Sequence, residues 1–205
     1  DSMKKILVVF ISILILMPEV KSSTTSASSY ILMDQNTGRV LLSKDKDSQR
    51  LIASITKIMT CILALESGKS EDVVIVDDNA TSAYGSGIYI EVGEEIKLKD
   101  LLYGLMLRSG NDAASMIAAY VSGSIEEFVK LMNNKAKELG MKNTIFYTPS
   151  GLPTPHGNLS SVYDMAILTR YAMQNKEYRE IVSTKKYKTS TNKKAYIWHN
   201  KNKLL

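Results

Sequence analysis

The sequence predicts a single domain of the α+β class. Three observations support this prediction. Strand-like segments flank a glycine-containing turn near residue 35, apolar residues recur at helical spacing through the middle of the chain, and the 205 residues are 44% hydrophobic and 23% charged. This composition is typical of a globular domain and excludes a disordered or collagen-like chain. Strands followed by a run of helices indicate an α+β arrangement, provided that further strands follow.

The first 27 residues are predicted to be a secretory signal peptide. Two lysines precede an apolar run from Ile6 to Met17, and a stretch rich in Ser, Thr and Ala leads to an expected cleavage site near Ala27. A charged start, a short apolar core and small residues before cleavage are the signature of export. The apolar run is short for a transmembrane helix, although an uncleaved anchor is the alternative. The folded domain is therefore expected to span residues 28–205.

The net charge of +5 does not indicate a nucleic-acid partner. Residues 1–27 carry 3 basic and 2 acidic groups, residues 28–175 carry 14 and 17, and residues 176–205 carry 9 and 2. The basicity thus belongs to the last thirty residues, where lysines are diluted by polar residues and form no known binding motif. We expect a solvated, lysine-rich surface or strand there.

The rare residues argue against metal and disulfide chemistry. Cys61 is the single cysteine, and His156 and His199 are the two histidines. A disulfide is therefore excluded within the chain, and a zinc site is not expected. We predict no metal and no cofactor, with both histidines in structural roles. An exported protein without disulfides is typical of the bacterial envelope.

Hydrophobic periodicity and turn residues predict the elements in order. A hairpin opens the domain, a buried helix follows, and a second strand pair precedes a series of helices, the last two of which are separated by a proline-rich loop. The predicted strands are 30–34 with 39–43, followed by a short apolar run at 73–76 and by a second strand pair that 88–92 forms with the residues at Ile96 across Gly93-Glu94. The predicted helices are 51–65, 98–107, 112–121, 125–139 and 162–174, with Ser124 and Ser161 as caps and the loop at 148–160.

Ser54-Ile55-Thr56-Lys57 is the feature that most suggests catalysis. The pattern Ser-x-x-Lys occurs five times in the chain, so the bare pattern is weak. Only the match at Ser54 lies at the start of a predicted buried helix. The others fall in the N-terminal tail, in a hairpin arm or in lysine-rich polar stretches.

This placement has a specific chemical consequence. Residues three apart share a helix face, so the Lys57 amine can reach the Ser54 hydroxyl. Burial lowers the pKa of a lysine towards the neutral form that a general base needs, and N–H groups at a helix start favour an oxyanion. The plain alternative is a capping Ser54 and a Lys57 whose amine reaches solvent. Spacing alone leaves both interpretations open.

Ser109-Gly110-Asn111 is a second polar cluster, between two predicted apolar helices. Its Ser-x-Asn form recurs at residues 190–192 and is weak by itself. It could be a helix end at Gly110 followed by a cap from Asn111 or Asp112. It could also hold a hydroxyl that passes a proton and an amide that binds a peptide-like substrate.

Three segments together resemble the D-alanyl-D-alanine carboxypeptidases of the low-molecular-mass penicillin-binding proteins. They are residues 53–60 (ASITKIMT), 105–114 (LMLRSGNDAA) and 143–152, which contains NTIF and PSGL. They occur in the family's order within a resemblance that runs from Tyr30 to the end of the chain. The resemblance implies the serine β-lactamase/DD-peptidase fold, an antiparallel sheet flanked by helices with a mostly helical subdomain.

The resemblance also implies a role for each candidate residue. Ser54 would be the acylated nucleophile, Lys57 its base, Ser109 a proton relay and Asn111 a contact to the substrate amide. The implied substrate is a peptidoglycan stem peptide ending in D-Ala-D-Ala, and β-lactam antibiotics would be covalent inhibitors. The implied setting is the bacterial cell envelope, at the outer face of the cytoplasmic membrane or in the periplasm.

The family's third motif, Lys-Thr-Gly on a strand lining the site, has no match. Lys188-Thr189-Ser190 is the nearest string, and we reject it because residues 198–205 (WHNKNKLL) resemble the segment that shortly precedes the motif. We therefore expect the motif, the last sheet strands and any membrane-binding region to follow Leu205. On this interpretation, residues 28–205 are a C-terminally incomplete catalytic domain.

Two other functions stay open at this point. A serine β-lactamase-like hydrolase would share the fold, but it needs a deacylating base for which the sequence offers no clear candidate. Glu94 and Glu95 adjoin a predicted turn and are expected to be solvated rather than an acid/base pair. A truncated, non-catalytic remnant that at most binds cell-wall peptide would be favoured if the reading frame stopped at Leu205.

Overall fold

The computed structural model describes residues 25–81, 83–153 and 155–205. The predicted signal peptide, residues 1–27, lies outside the described residues apart from its last three. The α+β class is confirmed, because helices and antiparallel strands both contribute to the fold. Within the described ranges, no helix is both long enough and apolar enough to cross a membrane.

Helices form the body of the described chain. Their bounds are Lys57–Glu66 (α1), Leu98–Arg108 (α2), Asn111–Ser122 (α3), Ile125–Glu138 (α4), Val162–Ala172 (α5) and Lys176–Ser183 (α6). Helix α1 packs against each of the other five. It occupies the centre because its side chains are buried on nearly every face, which is typical of a core helix.

The strands occur as antiparallel pairs. Their bounds are Tyr30–Met33 (β1) with Val40–Lys44 (β2), Arg50–Leu51 (β3) with Leu159–Ser160 (β6), Val73–Ile75 (β4) with Glu95–Lys97 (β5), and Lys186–Ser190 (β7) with Ala195–His199 (β8). The short β3–β6 pair matters most for the site. It joins the chain just before Ser54 to the end of the proline-rich loop.

The opening hairpin and four of the helices agree with the sequence predictions to within a few residues. Ser124 accepts a hydrogen bond from the Glu127 N–H, and Ser161 accepts one from the Asp164 N–H, as their capping positions predict. The predicted caps therefore set the starts of α4 and α5.

The helix predicted from Leu51 was wrong at its start. Leu51 belongs to β3, and a 3-10 turn at Ala53–Thr56 precedes α1, which begins at Lys57. Ala53 has a φ of 43°, which an α-helix cannot include, and the Ile52 N–H donates to the Asn158 carbonyl rather than into a helix. Contacts from the proline-rich loop thus override the apolar periodicity.

The second strand pair was also predicted with the wrong first strand. Residues 73–75 pair with residues 95–97, whereas residues 88–92 form no strand. The Ile88 and Tyr89 N–H groups instead donate to the side chain of Asp112. The sequence pattern could not anticipate this, because the acceptor lies more than twenty residues further along the chain.

Glu94 contradicts the expectation of two solvated carboxylates. Its side chain is fully buried and accepts hydrogen bonds from the Tyr196 hydroxyl and the Glu91 N–H. After α5 the chain forms helix α6 and the hairpin β7–β8. The sequence predicted only a lysine-rich surface or strand in this region. Tyr196 lies on β8, so this hairpin provides the buried partner of Glu94.

Candidate active site

Ser54 and Lys57 meet at the entry to the central helix. Ser54 lies in the 3-10 turn and is exposed, whereas Lys57 is the first residue of α1 and is only 2% exposed. Ala53, directly before the serine, has left-handed backbone, which costs about 1–3 kcal/mol for a residue with a Cβ. Surrounding contacts must therefore impose this conformation on the turn that carries Ser54.

The Lys57 amine is surrounded by three oxygen atoms. Its Nζ lies 3.2 Å from Ser54 Oγ, 2.8 Å from Asn111 Oδ1 and 2.7 Å from the Ser150 carbonyl oxygen. A charged ammonium can donate to all three. A neutral amine has one hydrogen fewer and a lone pair. Of the three partners only the serine hydroxyl can donate to that lone pair, since a carbonyl and an amide oxygen only accept.

Burial lowers the pKa of Lys57 to about 8. The positive charge of Lys201 contributes to this lowering of the pKa, and the negative charge of Asp112 opposes it. A group with a pKa near 8 is neutral in about a tenth of the molecules at pH 7. The site therefore supplies a neutral amine near physiological pH, which an exposed lysine does not.

The orientation of the Asn111 amide is fixed from its other end. Its Nδ2 donates to the Tyr84 carbonyl at 2.7 Å, and its backbone N–H donates to the Ser86 carbonyl at 2.8 Å. The oxygen of the amide is thereby turned towards Lys57. Asn111 is the first residue of α3 and is 4% exposed.

Ser109 is placed near this cluster without being joined to it. It ends α2 in the left-handed conformation, with a φ of 62°, and is half-buried two residues before Asn111. Among the described residues, no hydrogen bond connects its hydroxyl to Lys57 or Ser54. The structure thus brings Ser54 and Asn111 into contact with Lys57. For Ser109 it shows a position two residues before Asn111 but no contact that supports the predicted role.

The proline-rich loop supplies contacts that the sequence did not predict residue by residue. Besides the Ser150 carbonyl on Lys57, the Pro149 carbonyl accepts from Thr60 Oγ1 at 2.6 Å, and Asn158 Nδ2 donates to Thr56 Oγ1 at 2.9 Å. These hydrogen bonds join the loop to the 3-10 turn that carries Ser54 and to the first turn of α1. The available sequence signal was the clustering of prolines with small polar residues, which indicated a structured loop without assigning its contacts.

The other candidates lie away from the amine of Lys57. Thr189 donates to the Asp100 carboxylate, and Lys188 is exposed on β7, so the rejected Lys188-Thr189-Ser190 string forms no described contact with Lys57. The His156 ring lies beside Tyr147, and His199 pairs with Lys186 in the β7–β8 hairpin.

Solved structures share this arrangement of elements. A D-alanyl-D-alanine carboxypeptidase from Mycobacterium tuberculosis H37Rv superposes with a TM-score of 0.83 at 30% identity, over 87% of this chain and 68% of that one. Penicillin binding protein 5 from Haemophilus influenzae superposes with a TM-score of 0.79 at 33% identity, over 88% of this chain and 54% of that one. The fold and the serine–lysine cluster therefore define a protein of the penicillin-binding, DD-peptidase class.

The sequence comparison is more specific about the family. The model of peptidase family S11, D-alanyl-D-alanine carboxypeptidase, matches residues 17–205, and the chain belongs to this family. The carboxypeptidase DacF of Bacillus subtilis is 43% identical over 178 residues, which cover 83% of this chain and 46% of that protein. The chain thus spans about half the length of this curated relative.

Proposed function

We propose that the protein is a serine-type D-alanyl-D-alanine carboxypeptidase that trims peptidoglycan stem peptides through an acyl-enzyme. The observation that carries the proposal is the environment of the Lys57 amine, which has one hydroxyl neighbour and two fixed acceptors. In its neutral form the amine accepts the Ser54 proton. Family membership supports the same chemistry.

The proposed reaction needs only the side chains of this site, the peptide substrate and water. Lys57 takes the proton of the Ser54 hydroxyl as Oγ attacks the carbonyl carbon of the penultimate D-Ala. The peptide C–N bond then breaks, and the proton held by Lys57 passes through Ser109, the proposed relay, to the nitrogen of the terminal D-Ala, which leaves as an amine. Asn111 would contact the substrate amide. Water later hydrolyses the Ser54 ester and restores the hydroxyl.

We further propose that residues 1–27 direct export to the bacterial envelope and that residues 28–205 are part of the catalytic domain. The 205 residues contain no Lys-Thr-Gly string and span about half of the relatives' length. Activity is therefore best measured on the protein expressed from its full reading frame, beside the 205-residue chain. N-terminal sequencing of the exported protein should give a start near residue 28, and an unprocessed N-terminus would contradict cleavage.

Labelling with a fluorescent penicillin tests the nucleophile. The wild-type protein should become covalently labelled, and Ser54→Ala should abolish the label. Ser190→Ala is the matched control, since Ser190 begins another Ser-x-x-Lys match but lies at the end of β7. Unchanged labelling of Ser54→Ala would overturn the assignment.

Turnover distinguishes the carboxypeptidase from its same-fold alternative. A carboxypeptidase should release D-Ala from a peptide ending in D-Ala-D-Ala and should hold the penicilloyl group as a stable adduct visible by mass spectrometry. Rapid hydrolysis of penicillin without release of D-Ala would instead show a β-lactamase. A full-length protein that neither labels nor releases D-Ala would be a non-catalytic relative.

A further inference from the structure

We propose that Asp112 is a positioning residue of the candidate site, whose carboxylate holds the segment of residues 84–89 against Asn111 and thereby orients the Asn111 amide towards Lys57. The inference rests on the function proposed above. It goes beyond the four residues to which the family resemblance gives roles.

The Asp112 carboxylate is saturated by backbone donors. Its two oxygens lie 3.0 and 3.1 Å from the Ile88 nitrogen, and one oxygen accepts from the Tyr89 N–H at 2.7 Å. The other oxygen also accepts from the Ala113 N–H at 2.8 Å. The residue is 7% exposed, so these hydrogen bonds form out of water, where bonds to a charged group are strong.

Tyr89 shows that the segment is held under constraint. Its backbone is left-handed, with a φ of 60°, although it is not a glycine. Its N–H binds Asp112, and its carbonyl accepts from Lys194 Nζ at 2.8 Å. A strained residue persists only where surrounding contacts determine its conformation, and here Asp112 and Lys194 bind the two backbone groups of Tyr89.

The same segment sets the orientation of Asn111. The carbonyls of Tyr84 and Ser86 accept from the side chain and the backbone of Asn111, and that amide presents its oxygen to Lys57. Asp112, the next residue on α3, therefore fixes the segment that fixes Asn111. An unheld segment would let the amide rotate, and Lys57 would lose a fixed acceptor.

Two glycines allow the segment to approach closely. A Cβ at Gly85 would lie 3.3 Å from Asn111 Nδ2, and one at Gly87 would lie 3.2 Å from an Asp112 oxygen. The backbone of Gly87 is not left-handed, so alanine there would press on the carboxylate without adding strain of its own. Gly87→Ala therefore displaces the Asp112 contact while keeping its charge.

The test compares Asp112→Asn and Gly87→Ala with Asp100→Asn in the protein from the full reading frame. An asparagine at 112 places an NH₂ group against a backbone N–H in either orientation, because both carboxylate oxygens face such donors. Asp100 is the matched control: it is 8% exposed, lies in the first turn of α2, and accepts from the Tyr187 and Thr189 hydroxyls.

Asp112→Asn and Gly87→Ala, the two clamp variants, should lower the rate constant of penicillin acylation per folded molecule by about tenfold or more, as expected for a displaced catalytic amide. Asp100→Asn should stay within about twofold of the wild type. Lys57 faces the charges of Lys201 and Asp112. Loss of the Asp112 charge should move the acidic limb of the pH–rate profile to lower pH, whereas Gly87→Ala should leave the limb in place.

Two results would overturn the inference. The first is an Asp112→Asn protein that melts at a lower temperature but is acylated at the wild-type rate with an unmoved limb, which would show a purely structural role. The second is a normal rate for Gly87→Ala, which would leave only a charge effect. If the wild-type protein is not acylated at all, the proposed function fails separately. NMR of the Asn111 side-chain amide then decides the inference, because both clamp variants must shift it and Asp100→Asn must not.

Discussion

Gly151 packs directly against the carbonyl of Ala53, the residue before the candidate nucleophile. A Cβ at Gly151 would overlap that carbonyl group and would come within 3.0 Å of Thr56 Oγ1. The φ of Gly151 is 80°, which also favours glycine. The proline-rich loop and the turn carrying Ser54 are therefore fitted to each other at a point where only glycine leaves enough room.

Gly151→Ala should damage both stability and acylation. The added Cβ must push the Ala53 carbonyl aside, so Ser54 moves relative to Lys57, and overpacking of this kind costs about 1–3 kcal/mol. Denaturant unfolding and the penicillin acylation rate measure the two effects. Gly140→Ala is the control, because Gly140 has a φ of 75° but nothing lies within 4 Å of its Cβ position. It should lose stability through backbone strain alone and keep its acylation rate. Equal acylation rates in the two variants would contradict the proposed fit.

The pH dependence of acylation should report on Lys57. Because the base must be neutral, the rate should rise with pH through a midpoint of about 8. Lys201→Gln removes a positive charge that lowers the pKa of Lys57, so the pKa should rise and the midpoint should move to higher pH. A rise of half a unit would reduce the neutral fraction at pH 7 about threefold.

The comparison for this profile is Lys203→Gln, which removes a positive charge two residues further along the chain that is not among the causes of the Lys57 pKa shift. Its midpoint should equal that of the wild type. A Lys201→Gln midpoint that stayed in place or moved to lower pH would show that the limb belongs to another group.

Local signals predicted the parts of this fold that local forces determine. Ser124 and Ser161 form the expected caps, and Lys57 at the start of the buried helix reaches Ser54 as the three-residue spacing implies. The pairing of Lys57 with Asn111 could be anticipated only through the family resemblance. Those two residues lie 54 positions apart in the chain.

Features imposed by distant segments were not predictable from the sequence. The Ala53 carbonyl lies where only glycine at position 151 leaves room, the Ile88 N–H donates to Asp112, and the buried Glu94 accepts from Tyr196 in the last hairpin. In each case a contact with a distant residue outweighs the local propensity. That residue lies about a hundred positions away for Ala53 and Glu94 and some twenty positions away for Ile88. A pattern read along the chain does not contain that partner.

Asn158 should be essential for joining the proline-rich loop to the Ser54 turn. It is 1% exposed, accepts from the Tyr147 and Thr148 N–H groups, and donates to Thr56 Oγ1 and the Thr148 carbonyl. Asn158→Ala would remove the partner of the buried Thr56 hydroxyl and of three partly buried backbone groups, and a buried group left unpaired costs about 1–3 kcal/mol. Unfolding experiments should show a large loss of stability, and acylation per folded molecule should also fall.

A second asparagine provides the comparison for that prediction. Asn133 bridges α4 to both polar backbone groups of Phe146, away from Ser54. Asn133→Ala should therefore reduce stability without changing acylation of the folded fraction. Loss of acylation in both variants would mean that the folded state as a whole, rather than the Asn158 contact, controls the site.

Tyr196→Phe should destabilise the protein although it replaces none of the candidate active-site residues. The Tyr196 hydroxyl donates its one proton to the fully buried Glu94 carboxylate, whose two oxygens lie 2.8 and 2.9 Å from it, and Lys194 Nζ lies 3.5 Å from Glu94 Oε1. Removing a hydrogen bond to a buried charged group costs about 1.5–3 kcal/mol, which chemical denaturation at pH 7 would resolve. Tyr103→Phe is the control, because the Tyr103 hydroxyl forms no hydrogen bond with the described residues while its ring stacks on Tyr187. It should cost less stability than Tyr196→Phe, because it removes no hydrogen bond to a charged group. Equal effects of the two substitutions would show that the hydroxyl of Tyr196 does not stabilise Glu94.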